Sequence, residues 1–245
     1  MKVTITYIKH SGFAVELPEK TLLFDYYAGD LSCLPADKPL YVFASHRHHD
    51  HFDPCVFDLA QGRENVRYIL SNDIRLRQAG CVIDKLGPHK CLETGGMCIE
   101  TLKSTDEGVA FLVETEGVRL YHAGDLNLWT WDEETPEYNA RMTRAYHREL
   151  DRIAGRQFDL AFLPLDPRQE QDRENGLRAF LDVCGASHIF PMHCWEDYSV
   201  IDSLCAAAPS FAGRICRITA PDQRFVLDLP GQTAPHPHDP EEKSE

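Results

Sequence analysis

The chain has 245 residues, 43% of them hydrophobic and 26% charged, which is close to the average of folded domains and excludes wholesale disorder or a fibrous repeat. Its formal charge of −14 opposes phosphate backbones, whose binding rests on Lys and Arg, so nucleic acid is not an expected partner. No apolar run approaches the ~18–20 residues of a membrane span, the opening residues alternate like a strand rather than a signal peptide, and nine cysteines without a CxxC pair suit a reduced cytoplasm.

Strand patterns come first, at residues 3–8, 13–17, 21–24 and 40–44, as β-branched or aromatic runs divided by short polar turns. A second set covers 67–70, 97–102, 110–114 and 119–122, the last two joined by Glu116-Gly117. Helical spacing then takes over at 136–154, with Pro136 where a helix start accepts it, and again at 173–183 and 199–207. Short buried-type strands at 159–164, 187–192 and 214–219 alternate with these helices. This order predicts an α/β layer architecture in a single domain over residues 1–230. Residues 231–245, rich in proline and acids and without a large apolar side chain, read as a disordered acidic tail.

Residues 45–54 read Ser-His-Arg-His-His-Asp-His-Phe-Asp-Pro, directly after the strand at 40–44. In extended chain, residues two apart share a face, so His46 and His48 aim two imidazoles at one point. The turn that follows brings Asp50 and His51 round to a neighbouring point, which makes two half-built cation sites. A solvated polar loop is the competing reading. Four of the chain's twelve histidines fall within these six positions, which favours metal.

The HxHxDH pattern formed by His46, His48, Asp50 and His51 resembles the signature of metallo-β-lactamase-fold hydrolases. Tyr-His-Ala-Gly-Asp at 121–125 and Phe-Pro-Met-His at 190–193 are similar to that family's later motifs, in the same order and each after a strand. Lys-His-Ser-Gly-Phe at 9–13 and Leu-Phe-Asp at 23–25 resemble the branch that contains L-ascorbate-6-phosphate lactonase. The resemblance implies a four-layer αββα sandwich with metals at the strand ends between its two sheets. It also implies that His46 and His48 hold a first cation, that Asp50, His51 and His193 hold a second, and that Asp125 bridges them, with Asp50 and Asp125 as the catalytic carboxylates. A carboxylate bridge offsets repulsion between dications ~3.5–4 Å apart, and a water between them loses its proton near neutral pH. The plainer alternatives are an N-cap or turn role for Asp125 and a buried core role for His193.

The chain departs from the family where most members carry a third histidine for the first cation. The corresponding loop, 103–108, reads Lys-Ser-Thr-Asp-Glu-Gly and has no histidine. Asp106 is the best substitute, since a carboxylate also binds zinc; His122 is a second candidate, although three residues before Asp125 on a strand it faces the other way. Trp129, Trp131 and Trp195, the chain's three tryptophans, all stand near proposed ligands and suggest an aromatic wall of the pocket, the alternative being ordinary core packing. His10 is expected either in that pocket or as a satisfied core histidine.

These observations lead to a cytoplasmic hydrolase that uses one or two divalent ions to cleave an ester, lactone or phosphoester of a small molecule by metal-bound hydroxide. Zinc is the foremost expectation, with manganese or iron as alternatives. The competing readings are a metal-binding redox or diatomic-ligand protein, a non-catalytic member of the same fold and, disfavoured by the charge, a nuclease. Neither the substrate nor the oligomeric state is legible in the sequence.

Overall fold

The computed structural model describes residues 1–76 and 78–230, so the tail at 231–245 lies outside the described residues. One sheet has seven strands and the other six. The first is built from β1 (Lys2–Lys9), β2 (Gly12–Glu16), β3 (Thr21–Phe24), β4 (Leu40–Ala44), β5 (Val66–Ser71) and β6 (Val82–Leu86) in sequential order. The second runs from β7 (Cys91–Thr94) through β8 (Met97–Lys103), β9 (Val109–Thr115), β10 (Val118–His122) and β11 (Gln157–Pro164) to β12 (Gly185–Met192). The last strand, β13 (Arg224–Asp228), returns to the first sheet and pairs antiparallel with β1.

The two inner faces interdigitate in an aromatic core. Phe13 packs on Phe162 with ring centroids 4.7 Å apart, and Phe24 stacks on Phe43 at 4.6 Å. Such faces remove several hundred Å² of apolar surface from water, and emptying one Phe site costs about 3–5 kcal/mol. Outside the second sheet, α2 (Asn175–Val183) lies against β11 and β12, and α1 (Pro136–Leu150) packs on α2. Thr135 caps α1 by accepting from the Tyr138 amide, with Pro136 at its first turn. α3 (Ser199–Ala207), followed by the short α4 (Pro209–Ala212), buries Val200, Ile201 and Leu204 in the same core. Over the outer face of the first sheet the cover is thinner. It consists of the 3₁₀ helix Pro54–Ala60 and neighbouring loops, which bring Leu34, Phe52, Val56, Phe57 and Ile74 onto β3, β4 and β5. The architecture is the expected α/β sandwich, two mixed sheets flanked by helical layers.

Strand directions decide where chemistry can occur. β3, β4 and β5 are parallel neighbours in one sheet, and β10, β11 and β12 are parallel neighbours in the other. The carboxyl ends of both parallel sets meet at one edge of the sandwich, the position where open α/β sheets place ligands.

Three strands are additional to those expected. β6 and β7 carry polar and apolar residues without a buried face, and β13 is an exposed edge, so tertiary pairing rather than pattern makes them strands. The strand expected at 214–219 is instead a loop that makes one isolated bridge, Ile189 to Ile215. Its apolar Ile215 and Ile218 are buried, which accounts for its strand-like pattern.

Candidate metal centre

The carboxyl end of β4 runs straight into His46 and then a tight turn, in which the amides of His51 and Phe52 both donate to the His48 carbonyl. From the second sheet, β10 leads to Asp125, β11 to Asp166 and β12 to His193. Asp125 lies between the two clusters. Its Oδ1 is 3.2 Å from His51 Nε2 and 3.5 Å from His193 Nε2, and its Oδ2 is 3.5 Å from His46 Nε2. Among the described residues the ligand-type atoms fall into two groups, each within 4.8 Å of one another: His46, His48, Asp106 and Asp125, and His10, Asp50, His51 and His193.

The residues fit divalent cations on two observations. First, His10 Nε2, His51 Nε2 and Asp125 Oδ1 are buried without a hydrogen-bond partner, an arrangement that costs free energy unless a further group satisfies them. Second, the imidazoles of His10, His46 and His51 are held neutral with lone pairs available, the form that binds metal. Burial, helped by neighbouring imidazoles, pushes His10 and His46 down to about 2, and burial likewise drives His51 well below its ordinary value. Burial also raises Asp125 to about 7, so in the absence of a cation its charge is disfavoured.

Buried carboxylates set which nitrogen of three of the rings faces the centre. Asp25, at the end of β3 and fully buried, accepts from His51 Nδ1 at 2.8 Å. It also accepts from the Ser45 amide and hydroxyl, both at 2.7 Å. The Ser45 oxygen is in turn 3.0 Å from His46 Nδ1, so His46 donates to Ser45 and Ser45 donates to Asp25. One carboxylate therefore orients an imidazole in each group. Asp166 does the same for His193, whose Nδ1 lies 2.9 Å from Asp166 Oδ2. Burial works against a charge on Asp166, yet hydrogen bonds from His193 and Arg168 hold its carboxyl well below the usual range. For His193 burial works downward, but Asp125 and Asp166 together raise it. Such carboxylate–imidazole pairs are the usual means of fixing a ligand's tautomer.

Asp166 and Arg168 are absent from the sequence reading, and Asp25 enters it only within the Leu-Phe-Asp motif, with no role of its own. A carboxylate directly after each of two buried parallel strands was the available signal, but it reads equally well as a turn or cap. Asp166 does cap the 3₁₀ helix Pro167–Asp172 by accepting from the Arg168 amide.

Asp106 is drawn to the centre by its loop. Gly108, with φ of 72°, presses against the histidine motif so closely that a Cβ there would lie 2.0 Å from the Ser45 carbonyl oxygen. The Val109 amide donates to the same oxygen at 2.9 Å. This docking leaves Asp106 Oδ2 3.7 Å from His48 Nδ1. Asp106→Asn is expected to weaken binding of the first cation about 10–100-fold while the fold survives. Titration of stripped protein checks this, and wild-type affinity in the variant would return the loop to the role of a plain turn.

His122 is corrected. Its Nε2 donates to the Ser11 carbonyl at 3.0 Å, its Nδ1 accepts from the Gly124 amide at 3.2 Å, and its ring stacks on Phe24. Both nitrogens are engaged, so it is a satisfied core histidine and not a ligand. His49 turns to the other side of the motif, into a cleft of about 820 Å³ lined also by Arg47, Phe52, Ile74 and Arg75.

All three tryptophans stand at the centre. Trp129 donates to the Asp125 carbonyl at 2.9 Å, and Trp131 stacks parallel on Trp129. Trp195 is 44% exposed, lies 5.7 Å from the His193 ring and donates to Asp166. Arg168 stands between the tryptophans, its guanidinium 4.5 Å from the Trp195 ring and 5.9 Å from Trp131, tied through Nε and Nη2 to Asp166.

Comparison with known proteins places the chain. Residues 4–139, more than half of the chain, match the family model described as a β-lactamase superfamily domain. A UPF0173 metal-dependent hydrolase of Alkaliphilus metalliredigens is 26% identical over 233 residues, spanning 86% of this chain and 92% of that one. Among solved structures, Igni18, a metallo hydrolase from the archaeon Ignicoccus hospitalis, has a TM-score of 0.67 at 18% identity and covers 94% of this chain and 100% of its own. The metallo-β-lactamase fold protein YhfI from Bacillus subtilis has a TM-score of 0.60 at 16% identity, with 93% and 100% covered. The chain belongs to the β-lactamase superfamily.

Proposed function

We propose that this member of the β-lactamase superfamily is a metal-dependent hydrolase that cleaves an ester, lactone or phosphoester in a small anionic molecule. One divalent cation would be held by His46, His48, Asp106 and Asp125, and a second by Asp50, His51, His193 and the shared Asp125. The observation that carries the reading is the division of Asp125, whose two oxygens face different imidazole sets at 3.2–3.5 Å. When bound, such cations lower the pKa of water toward neutrality and polarise a carbonyl or phosphoryl oxygen.

The protein's own groups select and hold the substrate. Arg168 is half exposed, pinned on one edge by Asp166 and on its face by Trp195, and its remaining Nη1 edge is free to meet an anion. Trp129, Trp131 and Trp195 offer flat apolar surface beside it, which excludes water and suits a planar or sugar-like group. A net charge of −14 disfavours a nucleic-acid substrate, and nine free cysteines fit a reduced cytoplasm. Among the described residues no helix is long and apolar enough to cross a membrane.

The test is a panel of small esters, lactones and phosphodiesters offered to protein loaded with zinc, manganese or iron. Turnover that requires metal and favours anionic members is expected; failure across the panel with every metal would overturn the reading. Arg168→Met should lower kcat/KM for anionic substrates about 10–100-fold more than for a neutral ester analogue, the difference being the worth of a charge-assisted hydrogen bond, while the smaller loss on the neutral analogue reports the bonds Arg168 gives Asp166. Equal losses on both would remove Arg168 from substrate recognition.

A second reading has one observation in its favour. Two imidazoles and two carboxylates in the first group make a donor set that suits iron, and with it redox chemistry. Oxygen consumption by iron-loaded protein in place of hydrolysis would favour it.

A further inference from the structure

The turn between β1 and β2 brings to the centre one imidazole that neither of the two proposed cation shells includes. His10 ends β1 with a left-handed backbone, φ 55°, after a register shift between Tyr7 and Lys9. A non-glycine residue held there is strained, and the surrounding structure must offset that strain. His193 has the same conformation at φ 62°, and its amide donates to the His10 carbonyl at 3.2 Å. Two strained tips, one from each sheet, are thus fastened to each other, and their rings lie 4.1 Å apart. Gly12 keeps the turn tight, since a Cβ there would come within 2.9 Å of the Lys9 carbonyl oxygen.

The side chain behaves unlike that of a core histidine. His122, equally buried, has both ring nitrogens bonded to backbone. His10 is 5% exposed, and its Nε2 has no hydrogen-bond partner. That nitrogen is 3.5 Å from Asp50 Oδ2, within the set whose ligand atoms lie inside 4.8 Å of one another. The ring is enclosed by His193, Trp195, His51 and Tyr27, so its free nitrogen opens on the gap between Asp50, His51 and His193 rather than on solvent.

We infer that His10 is a protein ligand of the second cation, which three imidazoles and two carboxylates, His10, His51, His193, Asp50 and the shared Asp125, then enclose. The inference rests on the two-cation reading. It divides the labour between the ions. The second is walled in by protein, whereas the first, bounded by His48 at 40% and Asp106 at 47% side-chain exposure, is the one that water and substrate can reach.

The test uses cobalt(II) titration of chelator-stripped full-length protein, followed by visible absorption and by equilibrium dialysis. His10→Asn is the informative variant, because asparagine tolerates a left-handed backbone but is too short to reach the gap. The wild type should bind two equivalents. In the variant, one equivalent should weaken at least ~10-fold with a changed visible spectrum, while the other keeps its wild-type affinity. Two equivalents with wild-type affinity and spectrum would overturn the inference and leave the two-cation reading standing, whereas no cobalt uptake by the wild type would overturn both. If the variant does not fold, X-ray absorption of wild type loaded with two equivalents decides, with five imidazoles shared between the two metals expected and four contradicting.

Discussion

Replacement of Asp125 by alanine is expected to abolish hydrolysis and to erase the stability that added metal confers. The reason is geometric and electrostatic together. Among the described residues Asp125 is the one carboxylate whose oxygens approach histidines of both groups, so on the two-cation reading its loss removes a ligand from each site. Ligand that binds only the folded state stabilises it by about 2.7 kcal/mol at one hundred times its Kd. For a chain of this size each kcal/mol moves Tm by about 2–4 °C, so loaded wild type should melt roughly 5–10 °C above stripped wild type. In Asp125→Ala that difference should vanish. The stripped proteins should differ little, because burial already raises Asp125 to about 7 and the metal-free fold gains little from its charge. Calorimetry with and without chelator separates the cases, and a metal-dependent shift that persists in the variant would remove Asp125 from the bridge.

Asp25→Ala should be more damaging to the fold itself. The carboxylate accepts three hydrogen bonds at 2.7–2.8 Å in a site with no solvent exposure. Its removal leaves the Ser45 amide, the Ser45 hydroxyl and His51 Nδ1 buried without an acceptor, at about 1–3 kcal/mol each before relaxation or water entry. The imidazole of His51 then loses the hydrogen bond that fixes its tautomer, and His46 loses the one relayed through Ser45. Metal affinity should fall about 10–100-fold at both sites. Asp25→Asn, which retains one acceptor oxygen and tolerates φ of 43°, should be milder in stability but similar in metal affinity. Chemical denaturation of stripped protein and metal titration of loaded protein read the two effects apart. Unchanged metal affinity in Asp25→Asn would show that the imidazoles hold their orientation without it.

The parts of this centre that were legible in the sequence are those whose geometry is local. His46, His48, Asp50 and His51 lie within six residues after an unmistakable strand, so the period of the strand and one turn suffice to group them. Asp125 and His193 were reachable only because their motifs follow in a familiar order. Asp25 and Asp166 depend on which strands are parallel neighbours, and no local pattern carries that information. The same holds for Asp106, whose approach is decided by Gly108 packing on Ser45 across two sheets. His10 and His122 illustrate the limit most clearly. Each is a lone histidine at a strand end, yet one has both nitrogens bonded and the other has a bare nitrogen beside Asp50. At the level of elements, the central strands were visible as apolar runs. The edge strands β6, β7 and β13 were not, because their faces are partly solvated and only pairing defines them.

The central claim is a pair of cation sites that share one carboxylate, and the most direct measurement is the metal-to-protein ratio after equilibrium dialysis, taken for the wild type and for His46→Ala and His51→Ala. The account predicts two equivalents for the wild type and a selective loss in each variant, from the first site in His46→Ala and from the second in His51→Ala. A wild-type ratio of one or less, or variants that retain both equivalents, would contradict it.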